Sequence, residues 1–244
     1  MFQVGWYMNT PTDLKKSKQK PTLRWVTINE YWLEISVKPL EPPLITIHLG
    51  FVNFRPGNAE DALPINSLVL NTYGPIGEWQ IFISTNNRFE ILDFYEALVK
   101  GRDCWNTFLS SDQQATTFES SFKDKNIGFL GGRSVECNLS PSGFKTMRSQ
   151  TETTLFKYSE VVYLRPVRFD TRQGACFEMV VKAHKQQRTD LLFQCHDHAE
   201  MKKFITVFLY NLNQIGPDLS SQTGSSTYPL EKLGSLSISA PSSS

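Results

Sequence analysis

The stretch from residue 78 to residue 101, EWQIFISTNNRFEILDFYEALVKG, changes its periodicity halfway along, and this change decides the fold. Its first eight residues are rich in aromatic and β-branched side chains, which are typical of a strand. From Asn87 onward, apolar residues recur at helical spacing, as Ile91, Leu92, Tyr95, Leu98 and Val99. The glycine at 101 marks the expected end of the helix. The stretch therefore predicts a strand followed by one amphipathic helix over 87–101.

Segments with strand character precede this stretch. They are short, rich in β-branched and aromatic residues, and separated by proline, glycine and asparagine. They cover residues 23–28, 31–37, 44–54 and 67–73. The first hundred or so residues thus predict a run of strands that ends in one helix.

The same order of elements returns further along the chain. Strand-like segments are followed by a second helical pattern over 197–214. Arg165-Pro166 lies 110 residues after Arg55-Pro56, and Phe204 lies 110 residues after Phe94. The shared offset indicates an internal repeat. The second set of strands is expected at 126–132, 133–139, 144–149, 154–164, 176–184 and 190–196.

The repeat predicts two domains, over 1–101 and 126–214. The connector 102–125 is polar, but its aromatic residues indicate that parts of it pack. Residues 215–244 form a Ser-rich tail that is expected to be disordered.

This arrangement resembles the pleckstrin homology (PH) superfamily. The segment VGWYM (4–8) is similar to the family's opening strand, and LRWVTI (23–28) is similar to its second strand, with Arg24-Trp25 as the best local match. The resemblance implies a mainly β fold with α, made of two tandem PH-like, partly open β-barrels. Each barrel would have about seven antiparallel strands capped by a C-terminal helix. Phe94 and Phe204 would fill the place of the family's helix tryptophan, and Trp25 would pack in the core.

The resemblance also implies a phosphate-binding loop between the first two strands. Residues 5–25 carry a net charge of +4, from four lysines, one arginine and one aspartate, whereas the whole chain carries +1. Asn9 and Thr22 stand where the family has basic residues, so the pattern indicates a diffuse patch rather than a stereospecific pocket. The other interpretation is a solvated loop that keeps one end of the barrel soluble. The candidate lipid-phosphate-binding residues are Lys15, Lys16, Lys18, Lys20 and Arg24.

The second domain offers a weaker basic set. Arg133, Lys145 and Arg148 are scattered among Glu136 and Glu152. The sequence therefore favours a non-catalytic tandem adaptor that binds anionic phosphoinositide membranes through the first domain and protein partners through the second. The alternative is a protein-interaction scaffold without lipid affinity, of a signalling or histone-chaperone-like kind.

Other functions have little support in the sequence. No nucleophile, phosphate-loop or metalloprotease motif occurs, so no catalytic residue and no cofactor are predicted. The run Cys195-His-Asp-His198 invites a metal interpretation, but a strand end and a helix cap explain it better. Near-neutral charge makes nucleic acid an unexpected partner. No signal peptide or apolar span is visible, and four scattered cysteines indicate reduced, buried thiols. A cytoplasmic protein, peripheral at membranes, is expected.

Overall fold

The computed structural model describes residues 2–8, 22–57, 63, 65–111, 115–125, 132–149, 152–166, 175–182 and 188–215. The first group of elements comprises β1 (Phe2–Met8), β2 (Thr22–Asn29), β3 (Trp32–Ser36), β4 (Ile45–His48), β5 (Val52–Pro56), β6 (Ser67–Thr72), β7 (Trp79–Ser84) and α1 (Arg88–Leu109). The second comprises β8 (Phe118–Asp124), β9 (Arg133–Ser140), β10 (Gly143–Met147), β11 (Thr153–Phe156), β12 (Val161–Pro166), β13 (Cys176–Lys182), β14 (Arg188–Gln194) and α2 (His198–Ile215).

The two groups of strands form two sheets of identical topology. The first sheet has the order β4-β3-β2-β1-β7-β6-β5, and the second has the order β11-β10-β9-β8-β14-β13-β12. The first strand of each sheet lies in the middle, because it pairs antiparallel with both the second and the last strand: Gln3 lies opposite Leu23 on one side and opposite Ser84 on the other. Two seven-stranded antiparallel sheets, each followed by a helix, confirm the predicted fold class.

The first helix begins as predicted but runs further than predicted. The Asn87 side chain caps it by accepting a hydrogen bond from the Phe89 N–H at 2.9 Å. The helix passes through Gly101 and ends at Leu109. Gly101 is needed there for a close approach, since a Cβ atom at this position would lie 2.8 Å from the Glu30 carbonyl oxygen. The expected end at 101 is therefore wrong, and the segment predicted as a connector begins with two helical turns.

The second sheet begins earlier than predicted. Its first strand is β8, which lies inside the segment predicted as a connector. Residues 126–131 of the expected first strand (126–132) lie outside the described residues, as do residues 216–244 of the predicted tail. Phe118, Ser120 and Phe122 lie on the same face of β8. Because the middle one of the three is a serine, only two apolar residues mark this strand in the sequence. An alternating apolar pattern was therefore absent from the sequence.

A phenylalanine cluster forms the core beneath the second sheet. Phe204 of α2 is fully buried, and its ring centroid lies 4.7 Å from that of Phe177, 5.2 Å from that of Phe144 and 5.3 Å from that of Phe122. In the first sheet, Phe94 takes the equivalent place and contacts Phe2, with a centroid distance of 4.8 Å. Both phenylalanines of the repeat thus lie between helix and sheet.

The two sheets and their helices pack against each other. The Arg165 guanidinium of β12 lies over the Trp79 ring at 5.4 Å and donates to the Glu178 carboxylate at 2.8 Å. The ammonium group of Lys202 on α2 pairs with the Glu34 carboxylate on β3 at 2.7 Å. All four residues of β4 are buried, and β4 lies beside β12. Local sequence patterns do not indicate these contacts, because each one joins segments that lie far apart in the chain.

Candidate functional site

The predicted phosphate-binding segment connects two neighbouring strands of the first sheet. β1 and β2 pair antiparallel, with Phe2 opposite Arg24 and Val4 opposite Thr22. The candidates Lys15, Lys16, Lys18 and Lys20 fall within residues 9–21, outside the described residues. Their placement between β1 and β2 agrees with the hairpin implied by the PH resemblance, and their role stays a prediction.

Arg24 is the candidate that the structure describes. Because it lies opposite Phe2, whose ring packs on Phe94, its side chain starts on the inner face of the sheet. One guanidinium nitrogen, Nη1, donates to the Leu23 carbonyl oxygen at 2.7 Å. Its Nε is buried without a hydrogen-bond partner, and within the described part of the chain no carboxylate pairs with it. The positive charge of Arg24 is therefore available for an anion.

One of the basic candidates of the second domain, Arg148, differs from Arg24 in being paired with carboxylates. Arg148 pairs with Glu152 at 2.9 Å and with the buried Asp124 at 3.1 Å, and these two carboxylates raise the pKa of its guanidinium. Arg133 lies close to it, donating to the Arg148 carbonyl oxygen at 3.5 Å. Lys145 stands apart on β10, where it is exposed and lies opposite Leu155. The structure thus brings two of the three candidates together and neutralises one of them.

Apolar side chains are exposed at the start of β2 and on the β3–β4 turn, residues 37–44. Leu23 and Trp25 lie on the outer face of β2, since the inward positions are those of Arg24, Val26 and Ile28. The expectation that Trp25 packs in the core is wrong, because this strand places it two residues from Leu23 on the solvent side. The exposed apolar residues of these two segments are Leu23, Trp25, Val37 and Leu40. The sequence carried no clear signal of this exposure, because apolar residues occupy both faces of β2.

A buried histidine lies at the end of β4, within an aromatic cluster. The His48 ring lies 4.4 Å from the Trp105 ring and 4.7 Å from the Trp32 ring, measured between centroids. Its Nδ1 accepts a hydrogen bond from the Gly50 N–H at 3.2 Å, and its Nε2 is buried with no hydrogen-bond partner among the described residues. Burial lowers the pKa of His48 to about 3, so the ring is neutral in the folded chain.

This neutral histidine predicts a pH-dependent stability. An unfolded histidine protonates near pH 6.5, whereas folded His48 does so only near 3. His48 therefore leaves stability unchanged above pH 6.5 and lowers it by about 1.4 kcal/mol per pH unit as the pH falls from 6.5 towards 3. Urea denaturation of the wild type and His48→Asn between pH 7 and pH 4.5 should show the steeper loss in the wild type. Burial also lowers the pKa of His198, but both proteins share that residue. Equal slopes in the two proteins would contradict the assignment.

The run Cys195–His198 forms a helix cap. The Glu200 N–H donates to Asp197 Oδ1 at 2.8 Å, so Asp197 caps the helix. The Glu200 carboxylate reaches back in turn and accepts from the N–H of His196, the residue before the cap, at 2.7 Å. Among the residues described here, no group of three or more His, Cys, Asp and Glu side chains is arranged to hold a metal ion. The predicted strand end and helix cap are confirmed.

The cysteines fall into two classes. Cys137, Cys176 and Cys195 are buried, and burial raises the pKa of all three thiols, that of Cys137 to about 12. Cys104 lies on α1 and is exposed. The expectation of four buried thiols is therefore wrong for Cys104, which lies on the solvent side of a helix whose inner face carries Gly101 and Trp105.

A cleft of about 350 Å³ opens between the β2–β3 turn and α2. Tyr31, Trp32 and Phe108 line it from the first part of the chain, and Lys202 and Lys203 line it from α2. Desolvation raises the pKa of Tyr31. The cleft is thus aromatic, with Lys203 and the Glu34-paired Lys202 on the α2 side and Glu30 on the other. Neither described helix is long and apolar enough to cross a membrane.

Comparison with known proteins leaves the family open. The chain matches no family model and no curated protein. Among solved structures it is similar to the N-terminal PH domain of human ARAP2, with 16% sequence identity and a TM-score of 0.34. That similarity covers 55% of this chain and 99% of the PH domain.

Proposed function

We propose that the chain is a non-catalytic tandem adaptor that binds anionic, phosphoinositide-containing membranes through its first domain. Lys15, Lys16, Lys18, Lys20 and Arg24 would engage lipid phosphates, and the second domain, from β8 to α2, would hold a protein partner. One observation carries the choice of the first domain. Arg24 has no carboxylate partner in the described part of the chain, whereas Arg148 of the second domain is paired with two.

The charge of the β1–β2 segment makes the proposal quantitative. An exposed cation near an anionic leaflet contributes about 1 kcal/mol of binding free energy. Four lysines and one arginine together therefore give an attraction that is modest but sufficient for membrane binding. Such an attraction weakens with salt, because exposed charges are screened within about 10 Å at 0.1 M salt. Binding should therefore be strong at low salt and depend on multivalent headgroups.

Charge reversal in this segment tests the proposal. The double variant Lys16→Glu/Lys18→Glu should bind vesicles of phosphatidylcholine, phosphatidylserine and phosphatidylinositol bisphosphate at least about thirtyfold more weakly, because two lysines contribute about 2 kcal/mol. Co-sedimentation at low salt measures the change. The matched control Lys145→Glu/Lys157→Glu reverses two exposed lysines of the second domain and should bind as the wild type does. Failure of the wild type to bind such vesicles at low salt would overturn the proposal.

A second candidate is a protein-interaction scaffold without lipid affinity, of a signalling or histone-chaperone-like kind. The aromatic cleft between the β2–β3 turn and α2 favours it, because aromatic side chains are enriched where proteins bind each other. A stoichiometric complex with a defined protein, formed by a chain that does not sediment with vesicles, would support the scaffold over the membrane adaptor.

A further inference from the structure

The outer face of β3 and β4 is covered by the second domain. Glu34 on β3 and Thr46 on β4 lie directly opposite each other on this face, and Thr46 is only 1% exposed. The Glu34 carboxylate pairs with the Lys202 ammonium group of α2 at 2.7 Å. Trp32, two residues before Glu34 on the same face, lines the cleft described above together with Ala199 of α2. Within the chain, a helix of one domain thus docks on the outer sheet face of the other.

The second domain presents the equivalent face to solvent. β3 and β10 each follow a two-residue turn, so Lys145, the third residue of β10, stands where β3 has Glu34. Leu155 of β11 lies directly opposite Lys145, as Thr46 lies opposite Glu34. Lys145 is exposed and Leu155 is 49% exposed, whereas Thr46 is buried. The same face is therefore covered in one domain and open in the other.

The Lys145 ammonium group gives this open face a positive charge. Among the described residues, no ion pair engages it. The Glu152 carboxylate, just before β11, is held by Arg148 at 2.9 Å. Glu136 of β9 lies opposite Met147, two positions beyond Lys145 on β10. The face is therefore basic and apolar around Lys145, with the Glu136 carboxylate at its far end.

The first helix carries exposed acidic and aromatic residues on the face that corresponds to the docking face of α2. The α2 residues that line the cleft include Ala199, Lys203 and Thr206. The offset of 110 residues places Phe89, Asp93 and Glu96 of α1 at these three positions. Phe89 is 74% exposed, and Asp93 and Glu96 are exposed one helical turn apart. α1 therefore offers a face equivalent to that of α2, but with negative charge.

The signs of charge are exchanged between the two pairs of faces. Inside the chain, the acid lies on the sheet, as Glu34, and the base lies on the helix, as Lys202. In the remaining pair, the base lies on the sheet, as Lys145, and the acids lie on the helix. The open sheet face and the open helix face of this chain are therefore complementary in charge to each other.

The large aromatic side chain also changes sides. Trp32 on β3 and Ala199 on α2 line the same cleft. Gly143 of β10 stands at the position of Trp32, and Phe89 of α1 stands at that of Ala199. Leu155 lies over Gly143, since a Cβ atom at Gly143 would be 3.3 Å from Leu155 Cδ1. A helix with an exposed phenylalanine thus matches a sheet face that lacks a large residue at this position.

We propose that the chain associates with further copies of itself head to tail, with α1 of one copy docked on the outer face of β10 and β11 of the next. This contact buries Phe89 and Leu155 and brings Lys145 to the acidic residues of the helix. The two faces lie on different domains, so the contact is heterologous and forms either a ring or an open chain. The inference names the protein partner that the proposed function gives to the second domain, and it rests on that part of the proposal without needing lipid.

Sedimentation velocity of the full-length chain without lipid tests the association. Between about 1 μM and about 1 mM chain, the weight-average sedimentation coefficient of the wild type should rise. Lys145→Glu and the double variant Asp93→Lys/Glu96→Lys should each raise the apparent dissociation constant at least about tenfold, because each brings like charges together. The matched control Lys182→Glu should associate as the wild type does, since Lys182 is exposed on β13, four strands away from β10 in the same sheet.

A mixture of the two charge-reversed variants provides the second measurement. In an equimolar mixture, the reversed helix of one variant meets the reversed sheet face of the other, and the two unchanged faces match as well. We expect the mixture to associate as the wild type does, although each variant alone associates weakly. A wild type that stays monomeric up to about 1 mM, or a mixture no more associated than its components, shows that these faces do not meet.

Vesicle binding is measured separately, at about 1 μM chain, where self-association contributes little. If the wild type binds vesicles but stays monomeric at high concentration, the head-to-tail contact fails while the membrane part of the proposed function stands. If the wild type associates but does not bind vesicles, the membrane part fails and the head-to-tail contact stands.

Discussion

Replacing Phe204 by alanine is expected to lower the free energy of unfolding by about 3–5 kcal/mol. The side chain is fully buried, and the rings of Phe118, Phe122, Phe144 and Phe177 surround it. Alanine would remove the apolar contact and leave a cavity among rigid rings that have little freedom to close it. The cost therefore includes the lost transfer free energy and the empty volume.

Denaturant titration followed by circular dichroism measures this loss. Phe89→Ala is the matched control, because Phe89 lies in the first turn of α1 and is 74% exposed. Its change should stay within about 0.5 kcal/mol of the wild type. Similar losses for Phe204→Ala and Phe89→Ala would contradict the description of the second core.

Replacing Gly50 by alanine should destabilise the chain by about 1–3 kcal/mol or more, although such a change often stabilises proteins elsewhere. A Cβ atom at Gly50 would lie 2.2 Å from Cδ1 of the buried Trp105 ring. That ring cannot simply move away, because Phe108 stacks on it at 5.2 Å and Tyr31 meets its edge at 5.3 Å. The substitution therefore forces the aromatic cluster apart.

A double-mutant cycle tests whether this contact is the cause. Trp105→Ala alone should cost about 3–5 kcal/mol, because a large buried ring is lost. In the presence of Gly50→Ala the same change should cost less, since the added methyl group occupies part of the vacated space. Additive effects of the two substitutions would show that the destabilisation arises elsewhere in the chain.

The parts of the fold that local patterns determine were predictable. The change of periodicity near Asn87 predicted the start of α1, and the repeat placed the start of α2 within one residue of His198. The strands of the first sheet were recognisable because β-branched and aromatic residues alternate with turn residues. Arg55 and Arg165 also occupy the same position, next to the last residue of β5 and of β12.

The parts that depend on distant contacts were not predictable. Gly101 was predicted to end the helix. In the structure the helix continues through it, and glycine is needed there because the Glu30 carbonyl oxygen lies too close for any larger residue. The contacts between Arg165 and Trp79 and between Lys202 and Glu34 join segments with no pattern in common. At the candidate site, the sequence predicted the charge of the β1–β2 segment, whereas the exposure of Trp25 and Leu40 follows from strand register and turn geometry.

The division of the cysteines has a practical consequence for labelling chemistry. Thiolates react with maleimides, and three of the four thiols are both buried and disfavoured from ionising by their surroundings. Cys104 is the thiol that a reagent reaches in the native chain. The natural sequence thus carries one attachment point for a fluorophore or spin label on α1, in the first half of the chain, without an engineered cysteine.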